Sequence, residues 1–559
     1  MDLRSLLAER IEAALGRYLE AQGVTGADVQ PLIEVPRNRE HGDYATNVAM
    51  QLTKLVKRNP RQIAEELLNH FDCTGLVSET SIAGPGFINF RMASEATAGV
   101  LRRIVADGAA FGQTRTGNGV RVLIEFVSAN PTGPLHIGHA RGAVVGDVLG
   151  RLLAAAGYEV KREYYFNDAG VQMRMLGNTL RLRVDEQLGR PVEWPEQYYR
   201  GDYMIEIAKL MVEELGVAEA GAEHDVQFYT DFAVREILKT IDADLKAMGI
   251  AFDIWFSETS LHRNGAVQAT LEELRERGRI YESEGATWLR TTDYGDEKDR
   301  VVIKSDGNYT YVMPDIAYHR DKYGRGFNRL INVLGGDHHG YIPRLKAAVA
   351  ALGHPKDDLQ CVIIQMVSLL KGGESMKLST RSGEFITMKE MIDELSVGVV
   401  RYFFAMRSPD TQMTFDWDLA KDTSMDNPVY YVQYAHARCC SLLRKAEELG
   451  QPFLGTENAD LNLLQHPDEK AIVQALGRLP EVVDAAAAEL APHLVPNYLH
   501  DVAQLFHNFF TQGNSDPSLR IIQPDQPALT QARLALIQGL RIILGNALGL
   551  LGIEPMERM

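Results

Sequence analysis

The most informative change in the hydrophobic pattern lies near residue 128. The run Arg121-Val-Leu-Ile-Glu-Phe-Val127 is apolar, β-branched and aromatic, which predicts a short buried strand. The Pro- and Gly-rich segment 130–134 ends that pattern. From Ile137 the apolar residues recur at helical spacing on one predicted face: Ala140, Val144, Val145, Val148, Leu152 and Leu153. A helix start behind a strand and a tight loop collects unpaired N–H groups and the helix dipole, so this segment predicts an anion site.

Four later apolar runs predict further strands of the same sheet. They are Glu159–Phe166, Phe252–Ser257, Leu330–Leu334 and Leu359–Val367. Strands separated by helices and short returns indicate a parallel, doubly wound sheet with right-handed crossovers. Ligands of such sheets lie at the carboxyl ends of the strands, where Asn130, Asp168, Glu258 and Asp337 all fall. The shared position predicts one binding site at this edge.

The pattern divides the chain into three parts. Residues 1–112 mix helical and strand periods and predict an α+β unit, which Gly108–Gly119 links to the next. Residues 120–395 contain the predicted α/β sheet, with a mostly helical, acidic insertion at 177–248. Residues 396–559 are almost entirely helical by period and predict a bundle of helices at 397–406, 428–450, 469–490, 498–510 and 529–551.

Composition restricts the class of protein. A chain of 559 residues with 45% hydrophobic and 24% charged residues is typical of a soluble, multidomain globular protein. The net charge of −17 argues against a general nucleic-acid-coating role, but it leaves room for holding one folded RNA through local basic surfaces. We expect no membrane span, because the apolar runs are short and the N-terminus reads as an amphipathic helix.

The cysteines indicate a compartment. Four of them are present, and none forms a CxxC pair: Cys73, Cys361, Cys439 and Cys440. This spacing suggests neither a disulfide framework nor a structural zinc site, and it favours a cytoplasmic protein.

Two imidazoles give the predicted anion site its chemistry. His136 and His139 are three residues apart at the helix start, and Gly138 between them lets a ligand approach the backbone. Both can donate hydrogen bonds to phosphate oxygens. The alternatives are a metal pair or two solvated histidines. A metal pair usually needs i, i+4 spacing and a third ligand, and neither is present here.

The segment Ser128-Ala-Asn-Pro-Thr-Gly-Pro-Leu-His-Ile-Gly-His-Ala-Arg-Gly-Ala143 resembles the HIGH motif region of class I aminoacyl-tRNA synthetases, and in particular the arginyl-tRNA synthetase family. Segments from both flanking parts resemble the same family, which extends the likeness over nearly the whole chain: His41–Asn47, Gly84–Phe90 and Asn427–Arg438. The resemblance implies a Rossmann-like catalytic domain, an N-terminal domain that contacts tRNA and a C-terminal DALR anticodon-binding bundle. It also implies activation of arginine with ATP, followed by transfer to tRNA.

The resemblance also implies site residues. The catalytic set is His136, His139 and Lys377. The ATP-binding set is Pro134, His136, Gly138, His139, Gly335, Asp337, His338, Val367, Lys377 and Ser379. The arginine-binding set is Glu125, Asn130, His136, Glu258, Tyr311 and Asp315. Chemistry supports the last set, since a guanidinium prefers planar carboxylate acceptors. A carboxylate at a helix N-terminus can equally be a cap, which is the alternative for Asp315.

The segment Lys377-Leu-Ser-Thr-Arg381 is similar to the second class I motif, KMSKS, with Thr380 in place of its second lysine. Some family members without that lysine carry another just before the HIGH motif, where this chain has Thr132-Gly-Pro134. Our hypothesis is that Arg381 or Lys371 supplies the missing positive charge. The nucleotide brings Mg²⁺ with it, and no protein metal site or zinc is expected.

RNA contacts are expected at both ends of the chain. The candidates are Arg37, Arg39 and Asn89 in the N-terminal part, and Tyr434, Arg438 and Arg444 in the C-terminal part. The C-terminal residues, together with His436, recur near one helix face that we expect to lie outside. From the residues alone, a helix–helix interface is the better interpretation. The resemblance implies a monomer with arginine, ATP and tRNA(Arg) as partners. The alternatives are a catalytically impaired tRNA-binding paralogue and a class I synthetase for another amino acid.

Overall fold

A computed structural model describes residues 3–25, 29–36, 41–376 and 386–559. The N-terminal part contains five helices and four strands in its described residues. The helices are α1 (Leu3–Ala21), α2 (Val48–Gln51), α3 (Thr53–Val56), α4 (Pro60–Leu68) and α5 (Ser94–Asp107). The strands are β1 (Ile33–Glu34), β2 (Tyr44–Thr46), β3 (Val77–Ala83) and β4 (Phe87–Met92). They form an antiparallel sheet in the order β1-β2-β4-β3.

The middle part is built on a five-stranded parallel sheet. Its strands are β5 (Arg121–Glu125), β6 (Glu159–Phe166), β7 (Ile254–Ser257), β11 (Arg329–Gly335) and β12 (Leu359–Ile364). Their order is β12-β11-β5-β6-β7, so the strand before the HIGH-like segment is central. The predicted doubly wound α/β fold class is confirmed.

Helices cover this sheet and form the insertion. Those of the middle part are α6 (Ile137–Ala155), α7 (Val171–Gln187), α8 (Tyr203–Leu215), α9 (Val217–Ala220), α10 (Val226–Ala247), α11 (Glu258–Arg263), α12 (Ala266–Glu276), α13 (Val312–Gly324), α14 (Ile342–Ala351) and α15 (Met388–Leu395). The buried surface of α6 is wider than the single apolar face that we predicted. Residues on every side of α6 are buried, and a Cβ on Gly146 would lie 2.2 Å from Phe126 Cγ, so only glycine permits this packing.

Two smaller sheets were not predicted. The strands β8 (Ile280–Ser283), β9 (Ala286–Leu289) and β10 (Arg300–Ile303) form an antiparallel sheet before α13. The strands β13 (Val367–Lys371), β14 (Glu374–Met376) and β15 (Met413–Asp416) form the other. The prediction that one strand runs from Leu359 to Val367 is therefore wrong. The main-sheet strand ends at Ile364, and Val367 begins a strand of a different sheet.

The C-terminal part is the predicted bundle. Its helices are α16 (Val397–Ala405), α17 (Trp417–Lys421), α18 (Pro428–Glu448), α19 (Pro467–Gly477), α20 (Leu479–Ala488), α21 (Leu494–Ser515) and α22 (Pro527–Leu550). By length and composition α22 could cross a membrane, but most of it is buried in the protein. It also carries Arg533, whose Nε donates to buried Glu469 Oε1 at 2.7 Å, as in a core helix of a globular protein.

Candidate active site

The loop between β5 and α6 is conformationally strained. Val127 and Ser128 have φ angles of 67° and 43°, values that residues other than glycine rarely adopt. The Ser128 hydroxyl donates to Glu125 Oε1 at 3.0 Å, and Tyr164 OH donates to the carbonyl of Ala129 at 2.9 Å. These bonds hold the loop over the carboxyl edge of the sheet.

The two predicted imidazoles are stacked at the start of α6. Their ring centroids are 3.8 Å apart with an interplanar angle of 28°. His136 Nδ1 accepts from the backbone N–H of Gly138 at 3.1 Å, and His139 Nδ1 accepts from the N–H of His136 at 3.3 Å. A Cβ on Gly138 would lie 3.0 Å from His136 Cε1, which explains the glycine between them.

These contacts fix the protonation of both rings. Because each Nδ1 accepts a hydrogen bond, each neutral ring carries its proton on Nε2. Burial lowers the pKa of His136, and burial together with the neighbouring His136 lowers the pKa of His139 to about 3. The helix start therefore offers two neutral N–H donors, which can stabilise negative charge that develops on phosphate oxygens.

Lys377 and Ser379, like Thr380 and Arg381, lie outside the described residues. The chain that follows them is attached to the HIGH-like segment. Ile137 N–H donates to Ile386 O at 3.1 Å, and Met388 N–H donates to Leu135 O at 2.8 Å. The residues after the KMSKS-like segment thus pair with the backbone on either side of His136.

The carboxylates of Glu125 in β5, Glu258 at the start of α11 and Asp315 in the first turn of α13 lie near one another, and we call the space between them the acidic pocket. Tyr165 OH donates to Glu258 Oε2, and Tyr341 OH donates to Asp315 Oδ2. Burial raises the pKa of Asp315 to about 7; the Tyr341 hydrogen bond opposes this shift, and the charges of Glu258 and Glu125 add to it. The carboxylates are thus close enough to interact. Such a pocket suits a bidentate cation like a guanidinium.

The capping alternative for Asp315 does not match the structure. Tyr311 occupies the N-cap position of α13, Asp315 lies at the fourth residue of the helix within its first turn, and no side chain forms a cap hydrogen bond. Tyr311 is 88% exposed, which is unusual for a tyrosine, and it precedes Asp315 by four residues in the sequence.

Glu125 has partners that sequence reasoning missed. Its Oε2 accepts from the buried Lys322 Nζ at 2.6 Å, and Lys322 also donates to Asn332 Oδ1 at 3.1 Å. Lys322 looks like an ordinary basic residue in the last turn of a helix, so no sequence signal distinguishes it. Tyr165 and Tyr341 likewise carry no sequence signal that predicts their hydrogen bonds to Glu258 and Asp315.

Two other strand-end residues also have hydrogen-bond partners. Asp168 accepts from Ser257 Oγ at 2.6 Å and from Thr259 N–H at 3.0 Å, which joins the ends of β6 and β7. Asn130 is exposed and donates to Gln172 Oε1 at 3.0 Å.

Gly335, Asp337 and His338, which are predicted to bind ATP, lie at the carboxyl end of β11. Gly335 ends β11, and Asp337 and His338 lie exposed on a 3₁₀ helix, Gly336–Tyr341. His338 and the adjacent His339 therefore lie on a helical turn beyond the end of β11. Pro134 is half-buried in the HIGH-like loop. Val367 lies beyond the sheet edge at the start of β13, next to Met366, which is 79% exposed.

The predicted RNA contacts differ in accessibility. Arg37 and Arg39 lie outside the described residues. Asn89 is only 5% exposed within β4, which corrects the expectation of a surface contact. His436 is also buried rather than outside, and its Nδ1 lies 2.8 Å from Met556 O.

Tyr434, Arg438 and Arg444 are partly accessible on α18. The guanidinium of Arg438 lies 4.3 Å from the ring centroid of Tyr434 and 4.2 Å from that of Phe510. Arg444 donates to Glu557 O at 3.1 Å.

In the described ranges, no three His, Cys, Asp or Glu side chains form a group that could hold a metal ion. The four cysteines, all of them described, are free thiols.

Comparisons with known proteins agree with one another. Three protein-family models match: "Arginyl tRNA synthetase N terminal domain" over residues 2–92, "tRNA synthetases class I (R), catalytic domain" over 100–401 and "DALR anticodon binding domain" over 432–559. The chain is 47% identical to an arginine–tRNA ligase of Bacillus subtilis, over 100% of this chain and 99% of that one. It is also 47% identical to that of Geobacillus kaustophilus, over the full length of both. The solved structure of Thermus thermophilus arginyl-tRNA synthetase superposes with a TM-score of 0.75 at 25% identity, covering 99% of this chain and 100% of that one.

Proposed function

This chain belongs to the arginyl-tRNA synthetase family and is a class I arginine–tRNA ligase, and from this premise we propose the roles of its site residues. Arginine, ATP and tRNA are its partners. The observation that supports the roles is the meeting of two neutral imidazole donors and a three-carboxylate pocket at one edge of the parallel sheet. One part suits a nucleotide phosphate and the other suits a guanidinium.

In the first step the arginine carboxylate attacks the α-phosphorus of ATP, a P–O bond to pyrophosphate breaks, and arginyl-adenylate forms. We infer that His136 and His139 donate from Nε2 to the phosphate oxygens as charge shifts toward the leaving group. The step needs positioning and charge stabilisation more than a base. In the second step a hydroxyl of the terminal tRNA ribose attacks the arginyl carbonyl and AMP leaves.

Arginine binding follows from the acidic pocket. Glu258 and Asp315 accept from the guanidinium, with Tyr311 beside it, and Glu125 and Asn130 bind the α-amino and carboxylate end. The tyrosine hydroxyls on Glu258 and Asp315 leave further oxygen lone pairs for the substrate. Lysine would present one compact ammonium and could not bridge two carboxylates as a planar fork.

ATP binds beside the imidazoles, along Pro134, Gly138, Gly335, Asp337 and His338. Val367 remains a candidate at its new place in β13. We infer that Mg²⁺ enters as part of the MgATP substrate. Phosphate oxygens are ligands that Mg²⁺ prefers, and this ion often takes few ligands from the protein.

The positive charge that replaces the second KMSKS lysine has two candidates. Lys371 Nζ lies 4.8 Å from the ring centroid of Trp417, an arrangement that holds its ammonium against the β13–α17 junction. This contact favours Arg381 for the role. The choice remains a prediction, and comparing activation rates of Lys371→Ala and Arg381→Ala tests it. Normal rates in both would reject the whole idea.

For RNA we propose contacts from Tyr434, Arg438 and Arg444 on α18, and from Arg37 and Arg39. Aromatic rings beside arginines suit stacking of unpaired bases. We further propose a cytoplasmic monomer. The free thiols support the compartment, and sedimentation of the pure protein would test the monomer.

The deciding experiment is ATP–pyrophosphate exchange with each amino acid, with and without tRNA(Arg). We expect exchange with arginine and with no other amino acid, and we expect this exchange to require tRNA. Exchange with a different amino acid would show that the enzyme activates that amino acid and not arginine. Binding of tRNA without exchange would instead indicate a catalytically impaired paralogue.

A further inference from the structure

A buried lysine lies between the two ends of the arginine pocket. Lys322 is 1% exposed, and its Nζ lies 2.6 Å from Glu125 Oε2, 3.1 Å from Asn332 Oδ1 and 4.1 Å from the ring centroid of Tyr318. A carboxylate, an amide oxygen and an aromatic face thus surround the ammonium. A buried charge needs such partners, and these three hold it in one position.

The contacts continue beyond the lysine. Asn332 Nδ2 lies 3.0 Å from His319 Nε2, and His319 Nδ1 lies 2.8 Å from the carbonyl oxygen of Asp315. A carbonyl only accepts, so Nδ1 donates to it and Nε2 accepts from the amide. The ring is neutral, since burial lowers the pKa of His319 to about 3. A continuous hydrogen-bonded chain therefore runs from Glu125 to the backbone of Asp315.

The geometry of α13 makes this chain a spacer. Asp315, His319 and Lys322 are related by i, i+4 and i+7, so they lie on one face of a single helix. Seven residues of helix span about 10.5 Å, and a helix changes length little. At the other end, Glu125 and Asn332 are directly paired across β5 and β11. Lys322 thus ties the carboxylate of the central strand to the helix that carries Asp315.

We propose that Lys322 is a positioning residue that determines specificity: it fixes the separation of Glu125 from Asp315, so the pocket selects the length of the arginine side chain. This inference rests on the proposed function, in which Glu125 binds the α-amino end and Asp315 binds the guanidinium. Because Lys322 is buried, we infer that it acts through Glu125 and not through a contact of its own with the substrate. Without the lysine, Glu125 loses one of the two side chains that donate to it among the described residues, keeps Ser128 and can adopt other rotamers.

The test compares Lys322→Met with Arg320→Met in the full-length enzyme. Arg320 is on the same helix but pairs with Glu273 at 2.6 Å on the other side, so its replacement removes the same charge away from the pocket. ATP–pyrophosphate exchange in the presence of tRNA gives kcat/KM for L-arginine and for L-homoarginine, which has one more methylene. One methylene supports a preference of about 10- to 200-fold in a fitted pocket, which we expect for wild type.

For Lys322→Met we expect the KM for arginine to rise by roughly tenfold or more, with the KM for ATP within about twofold of wild type. The preference for arginine over homoarginine should fall below about fivefold, and Arg320→Met should keep wild-type values. A purely structural role would lower activity with both amino acids equally. That result, or an unchanged preference, would overturn the proposal.

A second variant tests the proposal in case Lys322→Met does not fold. Asn332→Asp keeps an acceptor for Lys322 but removes the amide donor to His319, and we expect it to reduce the same preference to a smaller degree. If Lys322→Met fails to show a cooperative melt, this variant decides, and an unchanged preference rejects the proposal. Wild type inactive with arginine would instead reject the proposed function and, with it, this inference.

Discussion

The protonation of Asp315 should control arginine binding. In the empty pocket burial raises its pKa to about 7. The guanidinium is always charged and pairs with the ionised carboxylate, so below pH 7 binding must release the Asp315 proton. Arginine affinity should therefore rise with pH up to about 7 and then level off.

The magnitude follows from the pKa. One pH unit below it, about one-tenth of the empty pockets are ionised, so the KM for arginine at pH 6 should be roughly tenfold above its plateau, or about 1.4 kcal/mol. Asp315→Asn keeps the shape and an oxygen that can accept from Tyr341, but it removes the charge. Losing one partner of a buried charge pair costs about 3–5 kcal/mol, which is roughly 160- to 4,800-fold in kcat/KM.

The assay is ATP–pyrophosphate exchange with tRNA from pH 5.5 to 8.5, with the KM for ATP measured in parallel. The Asn variant should show a high KM for arginine that no longer falls with pH. Asp306→Asn changes an exposed carboxylate in the turn before α13 and should keep the wild-type profile. A flat wild-type profile, or a slope that persists in Asp315→Asn, would refute the reasoning.

The same titration affects stability with a defined sign. Between about pH 4 and 7 the folded protein holds a proton on Asp315 that the unfolded chain has already lost. The stability contributed by this group therefore falls as pH rises through that window. Bound arginine removes this penalty. The increase in melting temperature on adding arginine should thus be larger at pH 8 than at pH 6.

Two further predictions concern other parts of the molecule. His139→Asn should lower kcat for activation by about 10²–10³-fold with little change in either KM. Because burial lowers the pKa of His139 to about 3, kcat at saturating arginine should show no histidine titration near pH 6.5. A change of kcat with pH in that range that disappears in the variant would contradict this prediction. Arg401→Met removes a buried guanidinium that donates to Asp147, to Leu551 O at 2.6 Å and to Met248 O at 2.9 Å. It should cost about 3 kcal/mol of folding free energy, measured by denaturant unfolding. An unfolding midpoint equal to that of wild type would show that the three segments do not depend on it.

Local pattern was sufficient for most of the architecture. The strand Glu159–Phe166 and the starts of α6, α16 and α18 lie where periodicity and breakers predicted them, because these signals depend on neighbours only a few residues away. The predicted helix at 469–490 is in fact two, α19 and α20.

Periodicity gave no sign of the small sheet β8–β10, whose strands have four residues each. Nor could it show that Asn89 and His436 are buried, because polar residues usually lie outside and only their neighbours in space decide otherwise.

The sequence by itself placed carboxylates, imidazoles and glycines at strand ends and a helix start, because the backbone carries them there whatever the rest of the chain does. Only the tertiary structure decided how each group is held. Lys322 meets Glu125 across 197 residues of chain, and Tyr165 reaches Glu258 across 93. Such contacts depend on how helices pack on the sheet, and no local spacing encodes them. They set the charge of the pocket and the distance between its two ends.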